Sequence, residues 1–112
     1  MKTLSALCSL AAALLAVCQV SAQEPLQRGQ QVYDAWCGHC HNTGPGNPGT
    51  IALEVRYQGA KPAALMERTD LTPDLTRFFV RNGLSIMPPF RKTEITDADL
   101  EALAAYLAPR GD

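Results

Sequence analysis

The chain has 112 residues, 46% of them hydrophobic, 19% charged and 6% aromatic. That apolar share excludes a disordered chain, and the length allows one domain. Ten Lys and Arg against eleven Asp and Glu give a net charge of -1, which speaks against a nucleic-acid binder with its basic stripe.

Met1-Lys2-Thr3 is a short positive start, and Leu4 to Val20 follows as an uncharged apolar run. Val20-Ser21-Ala22 then reads as a cleavage site before Gln23, so residues 1–22 have the three-part pattern of a secretory signal peptide. A transmembrane anchor is the competing reading, but the run is near the lower limit for a span and ends in a cleavage-like tripeptide. Cys18 follows Val17, where a lipoprotein signal has a small residue, so lipid attachment is not expected. Cleavage takes away Cys8, Cys18 and Lys2. It leaves 23–112 as one domain with two cysteines, Cys37 and Cys40, a net charge of -2 and no integral membrane segment. So short a chain buries a modest core and often needs a staple. Two thiols three positions apart close too small a loop for a useful disulfide, which points to a metal or a cofactor.

Leu26 to Trp36 reads as a helix, with Leu26, Gly29, Val32, Tyr33 and Trp36 on one face. Asn42 to Thr50 holds three Gly and two Pro and reads as a loop. Ile51 to Gln58 fits a short helix or extended chain, and Pro62 to Arg68 a helical turn or short helix. Thr72-Pro73-Asp74 is a helix start, with a capping Thr, Pro at the first position and then an acid. Leu75, Phe78, Phe79 and either Val80 or Asn82 carry its apolar face, and Gly83 falls at a left-handed C-terminal cap. Leu84 to Lys92 cannot be helical through Pro88-Pro89. Thr96 and Asp99 form a capping box for a last helix with Leu100, Leu103, Ala104 and Leu107 as its buried stripe, Tyr106 beside it, and Pro109 and Gly111 ending it. Gly29 and Tyr33 are expected to face Leu103 and Tyr106 where the first and last helices cross. No strand of useful length appears, so the fold class is all-α with long loops.

Cys37-Gly38-His39-Cys40-His41 is a C-x-x-C-H motif, the attachment signature of haem c. Two thiols one helical turn apart each add to a haem vinyl group, and the adjacent imidazole of His41 ligates the iron. One covalent haem then serves as the core of a small chain. Two rival readings use the same residues. Trp36-Cys37-Gly38-His39-Cys40 also matches the active-site string of some thiol–disulfide oxidoreductases, which place it after a buried strand. Zinc would need four ligands from two separated pairs, and Cys37, Cys40, His39 and His41 are the only Cys and His after cleavage.

Met87, in Ile86-Met87-Pro88-Pro89-Phe90, is the candidate sixth ligand, because the two prolines stiffen its loop. A Met/His pair raises the reduction potential relative to two imidazoles. Met66, within Ala63-Ala64-Leu65-Met66, reads as core filling instead. A third reading, a haem sensor or peroxidase-like protein, needs an open sixth site. His39 lies too near the attachment turn to reach the other haem face. His41 is expected to donate its second ring N–H to a backbone carbonyl near Pro48 or Pro45, with Pro48 favoured. Arg56, Tyr57 and Trp36 are candidate partners of a haem propionate.

On these residues the chain resembles the small monohaem class I cytochromes c over nearly all of 23–112. The resemblance implies three to five helices wrapped around one covalent haem, with electron transfer as the function. Asp34 to His41, Phe79 to Gly83 and Met87 to Phe90 also look like the cytochrome subunits of bacterial flavocytochromes that oxidise para-alkylphenols, the 4-cresol dehydrogenase (p-cresol methylhydroxylase) and eugenol hydroxylase groups. That likeness implies a periplasmic protein without substrate chemistry of its own. It also implies an FAD-dependent dehydrogenase subunit as the donor and a soluble carrier as the acceptor. A free-standing cytochrome c serving another dehydrogenase or oxidase is the alternative. The docking face is expected at the haem edge near Cys37 and the Met87–Phe90 loop, with Arg91 and Lys92 steering an acidic partner.

Overall fold

The computed structural model describes residues 23–109. The expected signal peptide, its cleavage site, Cys8, Cys18, Lys2 and Gly111 lie outside the described residues. Five α-helices and one 3-10 turn make up the described fold. Helix α1 covers 23–36, α2 Gly38–His41, α3 Pro48–Tyr57, α4 Pro73–Asn82 and α5 Asp97–Leu107, with a 3-10 turn at Leu65–Glu67. The described residues hold no strand, only an isolated antiparallel bridge between Leu84 and Met87. None of their helices is long and apolar enough to cross a membrane.

The two capping threonines act as their sequence context predicts. Thr72 Oγ1 accepts from Leu75 N at 3.2 Å, and Thr96 Oγ1 accepts from Asp99 N at 3.1 Å. Each satisfies a donor that a helix start would otherwise leave unpaired. Pro73 sits in the first turn of α4, and Gly83 closes that helix at φ +66° and ψ 178°, a positive-φ cap that is extended in ψ rather than the expected left-handed one. A Cβ on Gly83 would meet Met87 O at 2.5 Å and Pro89 N at 2.8 Å, so the close return of the chain also requires glycine here.

Val32, Tyr33 and Cys37 of the α1 side meet Leu71, Val80 and Ile95, and then Leu100, Leu103 and Leu107 of α5, in one core. Gly29 lets α1 and α5 touch: its α-carbon lies against the Ala102 carbonyl and Tyr106 Cβ. Tyr33 and Tyr106 pack with ring centroids 6.0 Å apart, as the expected helix crossing requires. Arg28 binds Asp99 at 2.7 Å across the same crossing, and Arg77 of α4 binds Glu101 of α5 at 2.8 Å.

Four local expectations change. Pro48 to Thr50 belong to α3 rather than to the preceding loop, with Pro48 in the first turn where its missing N–H costs nothing. The ambiguous stretch from Ile51 is therefore helical. On α4 the inward residues are Thr76 and Val80, while Phe78 is exposed. Met66 is 44% exposed rather than core, because the 3-10 turn directs the partly buried Leu65 toward the core and leaves Met66 outside.

Candidate functional site

The motif begins where α1 ends. Cys37 N donates to Tyr33 O at 2.8 Å, so the first cysteine is held by the last turn of α1. His41 N and Cys40 N both donate to Cys37 O, at 3.0 and 3.1 Å, and these bonds wind the motif into α2. Cys37 is buried in the core, Cys40 is exposed and His41 is half-buried. The two thiols therefore lie on one short helix, one at the core and one at its rim.

Burial, with the neighbouring Cys40, pushes the Cys37 thiol up to about 12. That is the wrong direction for a thiol–disulfide nucleophile, which needs a stabilised thiolate. The motif also follows a helix rather than a strand. Among the described residues no group of three His, Cys, Asp or Glu side chains is placed to hold a metal ion by itself, which removes the zinc reading's ligand set.

His41 is the most constrained of the motif residues. Its Nδ1 is fully buried with no hydrogen-bond partner, and burial holds its pKa below the ordinary histidine value. The expected acceptor near Pro48 is not there. Gly49, in the first turn of α3, lies against the Nδ1–Cε1 edge of the ring instead. Thr50 is buried beside it, and its hydroxyl donates to Asn42 O at 2.8 Å. Pro45 is exposed in the preceding turn.

Met87 is half-buried at the end of a tight turn. Leu84 N donates to Met87 O at 3.0 Å and Met87 N to Leu84 O at 2.9 Å. Ser85, at the turn, has φ +56°. Beyond the prolines, Phe90 N donates to Val80 O at 2.8 Å, and Arg81 Nη1 to Phe90 O at 3.1 Å. The methionine loop is thus tied to α4 by its own backbone.

The remaining candidates are spread more widely. The Trp36 indole is exposed and meets Phe90 edge-on at 5.9 Å, bringing the motif helix to the methionine loop. Arg56 is exposed on α3. Tyr57 is half-buried, and its hydroxyl accepts from Arg68 Nη1 at 2.8 Å. Lys61 and Arg68 both lie over the Tyr57 ring, at 5.1 and 5.2 Å. Arg68 in turn makes a two-bond fork to Asp70, at 2.7 and 2.8 Å. Hydrogen bonds from Arg68 and then Lys61 hold the Asp70 carboxyl far below the usual carboxylate range. Arg68 was not a candidate from the sequence; its position two residues before Asp70 was the available signal, and it reads as an ordinary surface pair. Arg91 and Lys92 do not make a bare basic patch: Arg91 pairs with Glu94 at 3.4 Å and Lys92 with Asp97 at 2.8 Å.

These residues fit haem: one core thiol, one rim thiol and a half-buried imidazole on one short helix are the donor set that covalent attachment and iron ligation use. An open groove of about 600 Å³ lies elsewhere, between Gln27 and Arg28 of α1 and Ala98 and Glu101 of α5, and involves none of the motif.

Comparison with known proteins agrees with this chemistry. Residues 24–107 match the family model described as "Cytochrome C oxidase, cbb3-type, subunit III". The chain is 32% identical over 95 residues to the 4-cresol dehydrogenase (hydroxylating) cytochrome c subunit of Pseudomonas putida, across 85% of this chain and 71% of that one. No solved structure matches it. The chain therefore belongs to the c-type cytochromes, in the family of that cbb3-type description, as an all-α protein that binds haem c and transfers electrons rather than an enzyme.

Proposed function

We propose that the protein is a periplasmic monohaem electron carrier with His41 and Met87 as the iron ligands, accepting electrons from an FAD-dependent dehydrogenase that oxidises para-alkylphenols. The observation that carries the haem reading is the state of the motif: a core thiol, a rim thiol and a half-buried imidazole on one short helix. The partner reading is supported by the relative from Pseudomonas putida, which is itself the cytochrome c subunit of a dehydrogenase. Residues 1–22 would direct export.

Haem supplies a one-electron couple between ferric and ferrous iron. Cys37 and Cys40 would hold the group by thioether bonds and prevent its loss. His41 would offer an imidazole nitrogen to the metal, and Met87 its thioether from the tied loop, a pair that favours the reduced state relative to a second imidazole. Ile51, Val55, Leu84 and Ile86, all apolar and exposed, would help to keep water from it. With both ligands in place, oxygen or peroxide would find no open position. A soluble carrier takes the electron onward.

A visible spectrum of the exported protein tests the first part. Reduced c-type bands that survive acid-acetone extraction are expected, and a colourless protein with two titratable thiols would overturn the reading. The weak near-red absorption of the ferric protein is expected to vanish in Met87→Ala and persist in Met66→Ala; the reverse assigns the ligand to Met66. Co-purification from the native host tests the partner: a bound flavoprotein is expected. Fast reduction by an unrelated dehydrogenase with no flavoprotein bound leaves a free-standing cytochrome.

A further inference from the structure

Gly49 is an unexpected residue for its place. It lies in the first turn of α3, and its φ is outside the left-handed region, so conformational freedom does not explain it. A helical glycine costs about 1 kcal/mol against alanine. Close approach does explain it. A Cβ at Gly49 would come within 2.7 Å of His41 Cε1, 2.9 Å of His41 Nδ1 and 2.8 Å of the Cys40 carbonyl oxygen.

Two further observations concern the same contact. The Thr50 hydroxyl bonds Asn42 O at 2.8 Å and lies 3.5 Å from Cys40 O, which clamps the first turn of α3 onto the motif helix. His41 Nδ1 is buried there without a partner.

We propose that Gly49 is a positioning residue for His41: its bare α-carbon is the seat against which the imidazole is turned. The inference rests on His41 as the iron ligand. A ring turned or tilted off that seat changes its donation to the metal, and with it the spectrum and the potential.

The test is low-spin ferric paramagnetic resonance, with the reduction potential, on haem-loaded wild type, Gly49→Ala and Gly46→Ala. Gly46 has φ +88° and open space at its Cβ position, so alanine there strains the backbone without touching the ring. Gly49→Ala is expected to shift both the largest g-value and the potential; Gly46→Ala is expected to lose stability and keep both. An unchanged Gly49→Ala, or an equal shift in Gly46→Ala, overturns the inference. Should Gly49→Ala fail to retain haem, Thr50→Val releases the clamp and keeps the shape. A shifted g-value then supports the seat, and an unchanged one refutes it. A wild type with no haem c spectrum would remove the proposed function and this inference together. A haem-loaded protein with an unmoved Gly49→Ala spectrum would remove only the inference.

Discussion

Burial decides what each arginine contributes. Arg68 forks onto Asp70 from a side chain only 7% exposed, whereas Arg77 reaches Glu101 from one 37% exposed. Asp70→Asn leaves a buried guanidinium underpaired and is expected to cost about 1 to 3 kcal/mol in urea unfolding. Glu101→Gln is expected to cost less, because solvent screens that exposed pair. The pH dependence follows from the depressed Asp70 pKa. Its contribution is present above the ordinary carboxylate value near 4 and is lost as pH falls toward the folded-state value. Asp70→Asn should therefore flatten the acid limb of a stability-against-pH curve. Cys37, Cys40 and His41 stand out in the sequence because the chemistry of haem attachment restricts residue type and spacing, and Met87 is proposed because two prolines stiffen its loop. Arg68 could not: Glu67-Arg68-Thr69-Asp70 looks like solvated charge until the chain folds it under Tyr57. Gly49 was hidden for the same reason, since only the approach of α3 to His41 gives that glycine a purpose.

Helix ends were legible where their signals are local. Thr72, Pro73 and Gly83 bracket α4, and Thr96 opens α5, because caps use side chains within a few residues of the backbone they satisfy. Thr72→Ala is expected to destabilise by about 1 kcal/mol, read as a lower thermal midpoint, without moving the visible spectrum. The start of α3 was not legible. Asn47-Pro48-Gly49 suits a turn as well as a helix start, and the Asn47 side chain bonds back to Thr43 O and Gly44 O rather than capping. The tertiary bond from Thr50 to Asn42 is what commits the segment. Phe78 and Met66 misled for a related reason. Their hydrophobicity matches a core, yet the helical register of α4 and the 3-10 turn carry them outward.

At the scale of the molecule, the crossing of α1 and α5 joins the motif to the rest of the core. Gly29→Ala places a methyl group against the Ala102 carbonyl and Tyr106 Cβ, which must separate the helices. A loss of about 1 to 3 kcal/mol is expected by thermal unfolding. Because the last turn of α1 holds Cys37 through Tyr33 O, a lowered yield of haem-loaded protein should accompany it. The all-α class and this crossing were readable from apolar spacing, since a glycine one turn before a tyrosine on a buried stripe invites a close neighbour. The return of the chain after α4 was readable only as a non-helical proline segment. What the structure adds is that this segment is closed at both ends, by the Leu84–Met87 bridge and by Phe90 on Val80. Under the proposed ligation, the seat of the sulfur is set by backbone bonds that never involve the metal. Under that ligation, arrival or departure of an electron is expected to alter charge while leaving the loop's backbone nearly where it was. The nuclear rearrangement that slows electron exchange would then be small, and the tied loop would serve turnover speed between encounters as well as the poise of the couple.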